Sequence, residues 1–390
     1  MELLRDNVPM VSLSVTAAAL YARFASSRLP PGLPRFAALL PVIAFFAAAP
    51  VKKISPISFR YFRKSALSVE SGMIYLSAEI SKNLKFVQIS TKIIFPSVAP
   101  LAFSSSILRF VAGFFLGWLG TFKVALLAAG RGPLDPALPV VPFLFIAAFP
   151  VKLKGSDGRR PAAASEGPLS RAVEVALLAA ILRLYPIIHT LHRYVRYCAY
   201  GLHLYCLLNL LLPCTAAAGR ALAGMELERQ FDRPYLSTSL REFWGRRWNL
   251  MVSAILRSAV YDPVRARTCG NAAAAAMATF LVSGVMHEAM ASYLLLRPPT
   301  GEMVAFFLIH GACCLAEDWC ARRWKAKGWP PLPRPVTFLL LLGFMAGTMF
   351  WLFFPPICRD GGEEMLLQEW AAVPAFFVGT AQNLLRYFIN

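Results

Sequence analysis

The chain has 390 residues, of which 57% are hydrophobic and 16% charged, where a soluble domain carries roughly 25% charge. That balance excludes a soluble protein, and apolar runs of about 18 to 22 residues are long enough to cross a hydrocarbon core. The net charge of +19 does not point to nucleic acid, because the basic residues sit in connections beside apolar spans, where they set orientation and meet anionic headgroups.

The pattern predicts an all-α, polytopic transmembrane protein of about 8–10 spans, organised as a single domain over residues 1–390. Candidate spans fall at residues 8–25, 33–51, 107–129, 137–151, 169–188, 195–212, 272–296, 304–320, 336–354 and 370–388. The first has one early Arg and no small-residue cleavage signature, so it reads as a retained span rather than a signal peptide. Residues 55–106 are rich in Ser and Lys, and their apolar part contains Lys92, Pro96 and Pro100; the segment reads as non-spanning. The fourth candidate is short and carries Pro139, Pro142 and Pro150. Residues 155–167 read as a flexible cytosolic loop.

Basic connections follow the second, fourth, sixth and eighth spans, whereas Asp360, Glu363, Glu364 and Glu369 make the last connection acidic. The positive-inside rule then puts the N-terminus and the polar segment 220–267 on the cytosolic side. Arg193 and Arg196 are exceptions, falling near the opposite face.

Eight cysteines are scattered through apolar segments without a metal-ligand spacing, and read as small buried hydrophobes. Of five histidines, His189 and His192 suit an interface, while His203 and His310 suit a hydrogen bond to a neighbouring helix. His287 lies in the run SGVMHE, where Gly284 one turn earlier leaves room for close helix approach and Glu288 is adjacent. A His–Glu pair at membrane depth is costly to bury and is a site candidate for that reason. On a helix the two side chains point about 100° apart, so Glu288 is expected to orient a second element or pair with an Arg such as Arg246. Position 291 is Ala, which removes a HExxH zinc motif, and no metal site is expected.

Upstream lies FDRPYLSTSLREFWGRRWNL, residues 231–250. Ser239 and Glu242 have capping-box spacing, predicting a helix that opens at Leu240 and carries Phe243, Trp244 and Trp248 beside Arg246 and Arg247. That composition also suits a plain interfacial helix; Asn249, at the head of a new apolar stretch, invites a specific hydrogen bond.

Together, FDRPYLSTSLREFWGRRWNL, the following YDPVR and LVSGVMHE resemble the plant wax synthase branch of the membrane-bound O-acyltransferases, most strongly over residues 225–319. The resemblance implies a multi-helix fold with an intramembrane tunnel, acyl-CoA as co-substrate with no bound cofactor, and a lipidic hydroxyl as acceptor. It also implies His287 as the catalytic histidine with Asn249 as its partner. Residues 61–103 are extra relative to that family and read as an insertion. Acyl transfer to an alcohol needs a base, the role of a neutral His287, and a group that holds the carbonyl or orients the alcohol, the role of Asn249. Ser283 and Glu288 are supporting candidates. Trp244, Arg246, Arg247 and Trp248 are candidates for binding acyl-CoA, with lipid headgroup contact an equal alternative for the two arginines. The expected reaction is wax-ester formation from a long-chain alcohol in the endoplasmic reticulum membrane, with sterol or diacylglycerol as alternative acceptors. A transporter using His287 and Glu288 is the alternative from another class; it predicts an internal repeat, and none is evident.

Overall fold

A computed structural model describes residues 8–48, 103, 105–154 and 167–371. The expected insertion at 61–103, the loop at 155–167 and the last candidate span, 370–388, fall almost wholly outside the described residues. What is described is helical, as the composition demands, because a backbone in lipid must satisfy its own hydrogen bonds.

Among the described residues, six helices are long and apolar enough to cross a membrane. We label the helices in chain order: α1 (Val8–Arg28), α2 (Leu33–Ala48), α3 (Ser106–Ala128), α4 (Val140–Ala148), α5 (Leu169–Thr190) and α6 (Arg193–Ala223). After the polar segment come α7 (Leu240–Glu242, continued by a π turn Phe243–Arg247) and α8 (Leu250–Leu256). Then follow α9 (Ala272–Leu295), α10 (Glu302–Ala326) and α11 (Arg334–Cys358). Helix α3 is the central one: 61% of its apolar window is buried in protein, against none of α11, whose Leu339, Leu340 and Trp351 face outward.

The direction of α3 is set at both ends. Near its start, Arg109 is buried and donates to Tyr293 O (2.9 Å) and Leu294 O (3.2 Å), the last carbonyls of α9. A cation there satisfies orphan acceptors at the negative end of a helix. Glu369 does the converse, accepting from Ser106 N (2.7 Å) and Ile107 N (3.0 Å) at the start of α3. At the other end, Phe122 and Leu126 join one core with Met251, Val252 and Val260 from the polar segment. So α3 runs antiparallel to α9 and ends beside the polar segment.

The turn between α1 and α2 lies at that same end. Gly32 N donates to Ala128 O (2.9 Å) and Arg35 to Leu127 O (3.1 Å). The 21-residue α1 therefore begins at the end away from the polar segment, which corrects the expectation that the first span starts on that segment's side. The cause is the fourth candidate span. As α4 it has nine helical residues, roughly 14 Å, and cannot cross about 30 Å of hydrocarbon. It is re-entrant instead. The ammonium of Lys123, 1% exposed on α3, closes its end by donating to Ile146 O and Phe149 O, both at 2.6 Å. One crossing fewer reverses every assignment before it.

Elsewhere the charge alternation and the contacts agree. The connection after α4 pairs with the polar segment through Lys152–Glu228 and Lys154–Glu226, both 3.1 Å, and a single antiparallel bridge Leu153–Leu227. At the far end, Arg196 pairs with Glu363 (2.9 Å), Arg359 with Glu302 and Arg297 with Asp360 (3.6 Å). The exceptional Arg196 is thus neutralised by the acidic connection it approaches.

Sidedness follows. In a variant whose other cysteines are removed, Cys269 and Arg131→Cys should react together with a membrane-impermeant maleimide on sealed microsomes. Asp360→Cys should show the opposite accessibility. Arg131→Cys behaving like Asp360→Cys would restore α4 to a full crossing.

Candidate active site

His287 sits on the inner face of α9, about two-thirds of the way along it. The approach of α10 is permitted by Gly284, where a Cβ would lie 2.9 Å from Val304 Cα. Small residues allow this closeness between membrane helices. With α10 so near, Phe307 lies against the imidazole at 4.3 Å between centroids. Trp118 of α3 and Phe353 of α11 complete an aromatic cage, each at 6.3 Å.

Among the described residues, the ring has one hydrogen bond. Nδ1 lies 2.8 Å from Ser283 O, an acceptor only, so Nδ1 carries the hydrogen and Nε2 keeps its lone pair. Nε2 has no partner among the described residues, and the side chain is only half-buried. Ser283 thus enters the site through its backbone carbonyl.

Glu288 points away from His287 and serves α10. Its carboxylate, 4% exposed, accepts from the N–H groups of Thr300 (2.5 Å), Gly301 (2.9 Å), Met303 (3.0 Å) and Val304 (3.4 Å). An anion on the first N–H groups of a helix satisfies donors that have no intrahelical acceptor. Of the expected alternatives, Glu288 orients a second element and does not pair with Arg246.

The polar segment folds as its capping box predicts. Glu242 N donates to Ser239 Oγ (3.0 Å), and Glu242 reaches back to Thr238 N (2.9 Å), one residue earlier than the simplest pattern. Partial desolvation raises the Glu242 pKa, but the Thr238 N–H and the Arg247 guanidinium (2.7 Å) outweigh it and hold the carboxyl below its usual value. Three of the four residues expected to bind acyl-CoA are engaged within the protein. Arg247 also donates to Asp232 O (3.0 Å), and Trp248 stacks on Phe243 (5.3 Å). Trp244 Nε1 donates to His310 Nδ1 (3.1 Å), whose Nε2 meets Thr348 Oγ1 (2.9 Å). His310 is a fully partnered structural histidine joining the polar segment, α10 and α11. Arg246 is exposed, and no described residue pairs with it.

Asn249 adopts a left-handed backbone (φ 41°) that Asn tolerates better than most residues, and its Oδ1 caps α8 by accepting from Val252 N (3.3 Å). No hydrogen bond joins it to His287. The two are linked through packing: Met251 and Val252 share a core with Val285 and Met286, the residues just before His287. The Asn249 amide nitrogen has no partner among the described residues.

Two residues of α3 escaped the sequence reading. Arg109 and Lys123 both cap distant helix ends. A basic residue inside an apolar run is the signal that marks such positions, but not what they bind.

These elements define a class: a polytopic helical membrane protein whose core holds a histidine with an open basic nitrogen beside an aromatic-rich polar segment. A family model described as the membrane bound O-acyl transferase family matches residues 227–309, which include most of that segment and His287. Among proteins of Arabidopsis thaliana, the chain is 38% identical to acyl-CoA–sterol O-acyltransferase 1 over 74% of this chain and 87% of that one. It is 36% identical to probable long-chain-alcohol O-fatty-acyltransferase 1, covering 78% and 92%, and 31% identical to the probable enzyme 11 of that series, covering 97% and 79%. The chain belongs to the membrane-bound O-acyltransferase family and is an acyltransferase, which removes the transporter reading.

The Glu288 cap is testable by Glu288→Gln, which sets an amide against four backbone donors. A loss of about 2–4 kcal/mol is expected, seen as a lower thermal midpoint in detergent. An unchanged midpoint would show that the carboxylate does not hold α10.

Proposed function

We propose that the protein esterifies a long-chain alcohol with the acyl group of acyl-CoA, forming a wax ester in the endoplasmic reticulum membrane. The observation that carries this reading is the imidazole of His287, with Nδ1 tied to Ser283 O and Nε2 open. An alcohol is a poor nucleophile at neutral pH. Nε2 takes its proton as the oxygen attacks the thioester carbonyl, and the Ser283 carbonyl steadies the imidazolium. Collapse of the tetrahedral intermediate expels the CoA thiolate, which recovers that proton. Asn249, its backbone held by the cap on α8, presents an amide donor to orient a substrate oxygen. Arg246, exposed and unpaired among the described residues, is the guanidinium available for CoA phosphates. A sterol acceptor is the second reading, favoured by the relative named a sterol acyltransferase.

Microsomes from a host lacking neutral-lipid acyltransferases, given labelled acyl-CoA with either fatty alcohol or sterol, distinguish the acceptors by product. His287→Ala should lower turnover by about 10²–10⁴-fold with normal accumulation. Full activity in that variant would sink the mechanism. Asn249→Asp keeps an acceptor for the cap but loses the amide donor, so turnover should fall while stability holds; Asn249→Ala should lose about 1 kcal/mol of stability as well.

For Arg246→Ala, the KM for acyl-CoA should rise several-fold with the KM for alcohol unchanged. Equal shifts in both would move Arg246 out of the donor site.

A further inference from the structure

Resting on the reading of His287 as the base, we propose that Trp118 is a further catalytic residue. Its indole N–H donates to the thioester carbonyl oxygen as negative charge builds there. Trp118 is 1% exposed and lies edge-to-face against His287, 6.3 Å between ring centroids. Its Nε1 is buried and has no hydrogen-bond partner among the described residues. Two other indoles find acceptors within the protein, Trp244 Nε1 donating to His310 Nδ1 (3.1 Å) and Trp324 Nε1 to Pro330 O (2.8 Å). A buried donor left unmet is costly, and native structures retain few. Among the described residues, the other buried side-chain atoms left without any polar partner, Ser26 Oγ, Gln230 Oε1 and Ser237 Oγ, do not belong to the cage around His287.

The surroundings account for the missing acceptor. Trp118 packs among Phe114 (5.1 Å), Phe122 (6.3 Å), Val285 and Met286, which offer the indole no strong side-chain acceptor. It also lies in the one stretch of α3, Gly113–Gly120, that winds as a π-helix. Such stretches are rare and occur often at functional sites. A donor held away from protein acceptors, in an apolar setting, is strong and needs no reorganisation when charge develops.

The charge balance of the step selects the atom this donor serves. The alcohol must lose a proton to His287 Nε2, and an N–H donor does not help that transfer. As the alcohol oxygen bonds to the carbonyl carbon, the carbonyl π pair moves onto oxygen, and Trp118 stabilises that oxyanion. The pair returns as the C–S bond breaks, the thiolate leaves, and the imidazolium returns the proton to it.

The test replaces Trp118 with 3-benzothienylalanine, which keeps the bicyclic shape but puts sulfur where N–H stands, and in parallel makes Trp118→Phe. Both are assayed in microsomes with labelled acyl-CoA and fatty alcohol, beside His287→Ala. The expected result for the isostere is a fall in kcat of about 10²-fold, with both KM values and accumulation close to those of the unmodified protein. Unaltered kcat in the isostere, with His287→Ala inactive, overturns the role of Trp118 and leaves the base intact. An active His287→Ala removes the reading on which the proposal rests. Should Trp118→Phe fail to accumulate, the isostere alone decides.

Discussion

The close packing of α9 on α10 is the constraint from which the site follows. Gly284 removes the side chain that would keep the helices apart, and the Glu288 carboxylate fastens the start of α10 through four backbone N–H groups. In hydrocarbon there is no water to accept those donors, so an internal anion at a helix start is the stable solution. Because Glu288 is next to His287 on α9, the same contact that anchors α10 brings Phe307 onto the imidazole. The adjacent His and Glu divide the labour, as their roughly 100° separation on the helix predicts: Glu288 holds the helices and His287 is left open.

Charged side chains play that capping role repeatedly. Arg109 closes α9, Glu369 opens α3 and Lys123 ends the re-entrant α4. Each is a charge within or beside apolar sequence, and each satisfies backbone groups that lipid would leave unmet. The polar segment is likewise bound into the bundle, through Trp244 on His310 and Glu317 on the first N–H groups of α7, Leu240 (3.2 Å) and Arg241 (3.2 Å). It is more than a surface helix lying in the interface. Arg247 and Trp248 are consumed by its internal structure and Trp244 by His310, which leaves Arg246 as the one of the four expected acyl-CoA contacts without a partner among the described residues.

Much of this was legible in the residues. The apolar runs marked the long helices to within a few positions, except that α6 continues through Pro213 to Ala223 and α10 runs on to Ala326. The Ser239–Glu242 spacing predicted the helix opening at Leu240, and Gly284 predicted the close approach. The fourth candidate span was misread because hydropathy counts apolar residues without asking whether prolines leave a helix long enough to cross. At nine residues α4 turns back, and the parity of everything before it changes.

What the sequence by itself determined is therefore what local physics encodes: where helices form, where they are capped, and that a histidine and a glutamate stand at membrane depth. Only the tertiary structure decided that Nδ1 of His287 is tied and Nε2 open, that Glu288 serves a helix, and that an indole donor lies buried without an acceptor beside the imidazole. The reason is physical. Hydrophobic patterning and capping act over a few residues, whereas a proton's position on a ring depends on which carbonyl or side chain the folded chain brings within about 3 Å.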